Sequence, residues 1–335
     1  MTKHRHEARG LRAGYSSYAV VCAQCGSPIY RAIGDNYRPI NRAPTTALFS
    51  GRRNSKGFTL IEMIMVIVIT GIIGSMVAVF LKAPIQQYMD VARRADMTDI
   101  ADTALRRITR DVRLALPNSV RVAGTCDGSA TCFLEFLPAL GGGRYRVGAG
   151  GGAGCPGSPG EEALDFSAAD VCFGVLGTMP AIAAGDEIVV YNLGIPRADA
   201  YAGKTLSTHN RRAASAAGSI VTLTSTAELP FDSPGHRFHV ISKPVTYVCD
   251  GAGTLWRYWG YDIQDVQTKT DTIAELDALT GVQKARLATN VSSCKFTYDP
   301  NVVAQRSGLV TMHLAITEDS ETATLYNAAH VSNQP

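Results

Sequence analysis

Residues 58–81, FTLIEMIMVIVITGIIGSMVAVFL, form a 24-residue apolar run in which Glu62 is the only charged side chain. As a helix rising about 1.5 Å per residue it reaches roughly 36 Å, enough to cross a hydrocarbon core of about 30 Å with some tilt. No other stretch is long enough to span, so the chain is not a polytopic membrane protein. Its fold must divide into one membrane helix and whatever follows it. Arg52, Arg53 and Lys56 lie directly upstream. By the positive-inside rule they hold the N-terminus in the cytoplasm and send everything after Lys82 across the membrane. The expectation is a single-pass inner-membrane protein with a periplasmic C-terminal part.

Charge is divided along the same line. The 335 residues carry a formal +3, but residues 1–57 hold ten Lys or Arg against Glu7 and Asp35, a local +8 that leaves −5 for the remainder. The basic excess therefore precedes the span, where it serves orientation, and gives no basis for nucleic-acid binding. With 46% apolar residues the chain has enough material for a packed core and is not a disordered one.

Several kinds of segment share such a run. A secretory signal has a shorter apolar core followed by a small-x-small cleavage site, whereas here Lys82-Ala83-Pro84 and a helical pattern follow. Arg52-Arg53 resembles a twin-arginine signal only weakly, because the run is too apolar. No Cys lies between Phe58 and Leu81 to carry a lipid. A plain anchor remains, but Glu62 sits four residues into the span, where a carboxylate costs roughly 2.5–3.5 kcal/mol or more unless it finds a partner.

Lys56-Gly57-Phe58-Thr59-Leu60-Ile61-Glu62 resembles the class III signal of type IV prepilins and of the pseudopilins of type II secretion. The resemblance implies that a membrane prepilin peptidase cuts after Gly57 and methylates the new amino group of Phe58. It also implies that Glu62 serves assembly. Its carboxylate and the first ammonium of a neighbouring subunit neutralise each other when helices stack with an axial offset, so the burial cost becomes a register device. Residues 1–57 would then be a leader. It is longer than the family's usual leaders, so either the true start lies downstream or the whole segment is removed. Its Cys22-Ala23-Gln24-Cys25 is half of a zinc-ribbon spacing with no second half nearby.

Beyond the span, Met97, Ala101, Ala104, Ile108, Val112 and Ala115 recur at steps of three and four and make one buried stripe. Asp102 with Arg106, and Arg107 with Asp111, stand at the i, i+4 spacing on the other face. The pattern predicts a helix over 58–116, bent at Pro84 and ended by Pro117-Asn118, with its transmembrane part at 58–81. From 117 to 335 the pattern is β-rich. Strands are expected at Cys132–Leu137, Glu187–Tyr191, Ser219–Thr224, Phe238–Val248, Thr254–Tyr261, Val291–Tyr298, Leu309–Thr317 and Thr322–Tyr326. Asp250-Gly251-Ala252-Gly253 should close a hairpin. The fold class is α+β: a long bent N-terminal helix, transmembrane in its first half, packed on a β-rich periplasmic domain as in type IV pilins.

Six cysteines follow the span: Cys126, Cys132, Cys155, Cys172, Cys249 and Cys294. An even count in an exported domain favours disulfides. Of fifteen complete pairings, spacing favours Cys126 with Cys132, Cys155 with Cys172, and Cys249 with Cys294.

Residues for chemistry are sparse, and no enzyme, metal or cofactor is expected. The glycine-rich stretch from Gly141 to Gly160 lacks the Gly-Lys-Ser/Thr ending of a phosphate loop, and Gly203-Lys204-Thr205 lacks the first Gly. His236 and His239 fall on opposite faces of a strand. Strand alternation puts Trp256 and Tyr258 on one face and Trp259 and Tyr261 on the other, as core.

Further stretches are similar to the minor pilins of the mannose-sensitive haemagglutinin pilus: Arg93–Asp96, Ala104–Arg113, Ala115–Arg121, the Gly142–Arg146 turn and the ending His330–Asn333. This implies a nonenzymatic subunit that primes or caps a fibre. Its partners would be the prepilin peptidase, other minor and major pilins and the inner-membrane assembly platform, with incorporation into the pilus. The alternatives are a type II pseudopilin or a single-pass anchored periplasmic binding protein.

Overall fold

The computed structural model describes residues 57–148, 155, 162–202, 209–224, 227–300 and 307–335. Residues 1–56, with Arg52, Arg53, Lys56 and the Cys22/Cys25 pair, lie outside the described residues, as do most of the 149–161 glycine-rich segment and Gly203-Lys204-Thr205. The chain falls into two units, residues 1–65 and 66–335.

The described part of the first unit is Gly57 to Thr59, which is non-helical, and the start of helix α1, Leu60–Val112. Pro84 lies within α1 and does not end it. In the second unit the predicted stripe is the buried side of the helix: Met97, Ala101, Ala104, Ile108 and Val112, joined by Leu105 and Thr109. The helix stops four residues earlier than Pro117-Asn118 predicts. Its last turn tightens, with Leu114 N–H on Asp111 C=O and Ala115 N–H on Val112 C=O. The backbone of 114–116 then pairs with 137–139, Leu116 N–H donating to Leu137 C=O and Ala139 N–H to Leu114 C=O. Strand pairing therefore takes these residues before proline can.

Fourteen strands are described. A five-stranded sheet has the order β1 (Arg121–Gly124), β2 (Cys132–Phe136), β9 (Val245–Cys249), β10 (Leu255–Trp259), β11 (Gln283–Ala288). A three-stranded sheet has the order β12 (Val291–Asp299), β13 (Ser307–Glu318), β14 (Glu321–Ser332). The α1 stripe, Leu134 and Phe136 of β2, Tyr247 of β9, Phe296 of β12 and Met312 of β13 share one core. The far face of the five-stranded sheet is covered by the short helix α2 (Ile273–Ala278), whose Leu276 packs with Phe133, Val248, Tyr258 and Tyr261. The class is α+β, a long apolar N-terminal helix with β-rich sheets, consistent with a type IV pilin-like fold.

Between β2 and β9, which are neighbours, the chain builds a third body. Strands β3 (Ala139–Tyr145), β4 (Cys172–Leu176), β5 (Glu187–Val190), β6 (Arg211–Ala217), β7 (Ile220–Leu223) and β8 (Arg237–Ile241) close into a barrel in the order β3-β4-β7-β6-β5-β8. It has its own core around Tyr145, Phe173, Val190, Val221 and Phe238. Three sequence expectations change here. The run read as one strand from Phe238 to Val248 is split, with β8 in the barrel and β9 in the sheet, at Ser242-Lys243-Pro244, where proline has no N–H to give. The stretch read as a Gly142–Arg146 turn is mostly strand β3. A Cβ on Gly143 would lie 2.8 Å from the Phe238 ring, so the glycine makes room for a core aromatic. Tyr261 joins Tyr258 rather than Trp259, because β10 ends at Trp259 and Gly260, at φ 86°, breaks the alternation.

Candidate processing and assembly site

Thr59 caps α1. Its Oγ1 accepts the Glu62 N–H at 3.3 Å, and its carbonyl accepts the Met63 N–H at 3.1 Å. Thr59-Leu60-Ile61-Glu62 has the spacing of a capping box, and an acidic side chain at this position also favours the positive end of the helix dipole. Glu62 thus has a local use that the sequence reading did not give it, and the Thr-x-x-Glu spacing was the signal for it. This use does not consume the carboxylate, which is exposed and has no ion-pair partner among the described residues.

Gly57 is open, with nothing within 4 Å of a Cβ placed on it. Phe58 is 77% exposed. The Gly57–Phe58 bond therefore lies in accessible, non-helical chain just before the cap, the form in which a peptidase can take a peptide bond. Beyond it the apolar surface of α1 is bare, none of the most apolar window being buried. Exposed apolar side chains continue past the predicted end of the span, through Ile85, Tyr88, Met89 and Val91, until Met97 enters the core. An exposed apolar surface of this length is tenable in lipid or against other helices, and not in water. It suggests membrane anchoring.

Three disulfides tie the β-rich part: Cys126 to Cys132, Cys155 to Cys172 and Cys249 to Cys294. The first and third flank one ladder, since Cys132 faces Cys249 across β2 and β9, and Gly128 bridges to Cys294 of β12. Cys249–Cys294 fastens the two sheets together beside the shared core, and Cys126–Cys132 closes the β1–β2 connection within the five-stranded sheet.

Where the end of α1 meets the sheet, Asp111 accepts the Tyr247 hydroxyl at 2.6 Å and pairs with Arg257 at 3.2 Å, and the Arg257 guanidinium lies over the Trp259 ring. The expected pairing of Asp111 with Arg107 is replaced by these partners, because the sheet offers a donor with less competition from water. Asp102–Arg106 does form. Burial first, and the Asp111 contact second, push the Tyr247 phenol above its ordinary range. A second buried cluster joins the sheet to the barrel. Arg121 reaches Glu135 at 2.9 Å and lies over the Tyr201 ring, while Thr270 donates to Glu135 at 2.6 Å. Burial pushes the Glu135 carboxyl up, against the pull of Arg121.

Two clefts adjoin these clusters. One, of about 320 Å³, is polar, and its cations are each paired: Lys243 with Asp262, Lys269 with Asp265, Arg211 with Glu187. The other, of about 370 Å³, is more apolar and includes Leu114, Leu140 and Trp259. Ser242 and Lys243 line both, and among the described residues no hydrogen bond joins the Ser242 hydroxyl to a base. His236 sits beside Asp232 before β8, and His239 is in β8, its imidazole held below the usual range by burial.

The family model for the prokaryotic N-terminal methylation motif matches residues 52–78. No curated protein and no solved structure matches the chain. The matched span contains Gly57, Phe58, the Thr59 cap and Glu62. It supports a type IV pilin-like or pseudopilin protein, with the processing by a prepilin peptidase and the association with pilins that such a motif implies, and it suggests a structural role.

Proposed function

We propose that this chain is a minor pilin, similar to MshO of the mannose-sensitive haemagglutinin pilus, cut between Gly57 and Phe58, methylated on Phe58, and held in the inner membrane with residues 117–335 in the periplasm. The observation that carries the reading is the coincidence of the methylation motif with an accessible Gly57–Phe58 bond at the head of a bare apolar helix. Cleavage there removes the +8 leader and leaves a free ammonium four residues from Glu62. In a stack of such helices the ammonium of one subunit meets the carboxylate of the next, and the charges that would be costly alone in lipid set the axial offset. The subunit then primes or caps a fibre through lateral packing of α1 with other pilins on the assembly platform. The same motif fits a pseudopilin of type II secretion, which differs in its partners and not in this chemistry.

Mass spectrometry of the protein from membranes is expected to find N-methyl-Phe58 as the first residue, and Gly57→Arg to leave the leader attached. Glu62→Ala should process normally but lose co-isolation with other pilins. A mature chain that retains residues before Phe58 in cells containing the peptidase overturns the reading.

A further inference from the structure

Strand β14 is the outer strand of the three-stranded sheet. Asp319 and Ser320, at φ 47° and 68°, form a two-residue turn of the kind that favours tight hairpins. Pairing then runs without a shift from Glu318 opposite Glu321 to Ser307 opposite Ser332. The residues flanking such a turn exchange both backbone hydrogen bonds, so Thr322, Thr324, Tyr326, Ala328, His330 and Ser332 turn their N–H and C=O groups away from β13. Their side chains are exposed, while Ala323, Ala329 and Val331 enter the core. Among the described residues no strand pairs with this outer side.

Open edges are ordinarily blunted by charge, proline, a bulge or shortness. The edge strand β11 shows these devices: six residues, Lys284 and Arg286, and a register shift against β10. The barrel has no edge. β14 has twelve residues, no Asp, Glu, Lys, Arg or Pro from Thr322 to Ser332, no shift, and an exposed Tyr326 at its centre. Beside it runs a groove of about 590 Å³ between α1 and β14, in which Val91, Ala95, Thr98 and Leu325 are flanked by Arg94, Asp99 and Asp102. Arg93 and Arg94 bind Asp319 and Glu321 and hold the helix to the turn. The bare apolar side of α1 thus continues directly into the open edge.

We propose that the outer edge of β14 receives an uncharged extended strand from a different subunit that carries its own apolar membrane helix, with that neighbour also covering the groove. The inference rests on the pilin reading above. A second copy of this chain does not fit. Its β14 in antiparallel pairing would reverse its α1 with respect to the membrane, and in parallel pairing would put its α1 on the far face, away from the groove. Its β12, the other outer strand of this sheet, already gives the Val291 N–H to Gly253 C=O and the Cys294 N–H to Gly128 C=O, its β11 is guarded by Lys284 and Arg286, and its β1 has only four residues.

The test places a photoreactive benzoyl-phenylalanine at Thr322 of the full chain in cells that make the pili, with the same probe at Arg286 on β11 as the control edge. Irradiation is expected to give an adduct from position 322, and not from 286, with a protein that itself begins with a processed prepilin-type helix. Thr324→Pro removes an outward N–H without touching the ladder to β13, and should lower the adduct by about tenfold or more. Thr324→Lys with Ala328→Lys charges the edge while leaving the backbone alone, and should do the same. An adduct only with a second copy, an equal adduct from 286, no adduct, or an adduct that persists in both variants overturns the proposal. The mature N-terminus is sequenced from the same cells. Phe58 found first with no edge adduct sinks this inference alone, and any other N-terminus sinks the pilin reading.

Discussion

Replacing Tyr247 by Phe keeps the ring and removes one oxygen from a fully buried side chain in the core shared by α1 and the two sheets. The hydroxyl donates to Asp111 at 2.6 Å, and a hydrogen bond to a charged acceptor is worth about 1.5–3 kcal/mol. Asp111 retains Arg257, so the lower part of that range applies, about 2 kcal/mol near pH 8. The difference must then shrink in alkali. Burial, and then Asp111, raise the phenol above its ordinary value of 10.0. Above that pH the unfolded chain releases a proton that the folded chain still holds. A raised folded-state value means that the stability is fully present below the unfolded value and is lost as pH rises toward the folded one. For this group the loss sets in near pH 10 and reaches about 1 kcal/mol by pH 11. Phe has nothing to titrate, so the gap between the two proteins should fall from about 2 kcal/mol at pH 8 to about half of that or less at pH 11. Urea unfolding of the detergent-solubilised protein, followed by tryptophan fluorescence, measures this. Tyr145, Tyr201 and Tyr261, whose phenols are also raised by burial, are common to both proteins and cancel. A gap that stays constant across this range refutes the reasoning.

Ile108→Ala, in the fully buried stripe of α1, should cost about 2–5 kcal/mol and lower the urea midpoint without moving the N-terminal processing site. Glu135→Ala leaves the half-buried Arg121 beside Tyr201 without its carboxylate, and is expected to cost about 3 kcal/mol, read in the same unfolding assay. Joint replacement of Cys249 and Cys294 by Ser opens a bridge across a sequence separation of 45 and should remove about 4 kcal/mol, with no further loss on adding reductant if the other two bridges are left out as well.

What was legible in the sequence was local or periodic. The α1 stripe could be read because a helix repeats its buried side every three or four residues, and the span because lipid demands an unbroken apolar run. Gly57, Phe58 and Glu62 lie within one short motif. The barrel could not be read in the same way. Ala139-Leu140-Gly141-Gly142-Gly143 looks like a turn until Phe238, nearly a hundred positions later, supplies the ring that needs the missing Cβ. Arg211–Ala217 has little strand preference of its own and is a strand because β5 and β7 hold it on both sides. β14 extends past its predicted end at Tyr326, through Ala328 and Ala329, because β13 pairs with it throughout. Nor could its open outer side be read from sequence, since an edge is defined by which strands are absent beside it.

The placement of the barrel bears on which surfaces the fold leaves open to a neighbour. β2 and β9 are paired from Cys132 opposite Cys249 to Phe136 opposite Val245, and the pairing resumes as Ala139 opposite Ile241 in β3 and β8. One two-stranded ribbon therefore carries the whole insertion, with Pro138 in one strand and Pro244 in the other at the crossing. A barrel closed on itself satisfies its own backbone groups and offers no edge to a neighbour. Its core around Phe173 and Phe238 is separate from the α1 core, and the two are joined through a small cluster of Leu116, Leu137, Val189, Tyr201 and Ile241. An insertion of this form adds surface without adding an adhesive strand. The bare side of α1 and the outer side of β14 are extended surfaces that, among the described residues, no strand or helix covers.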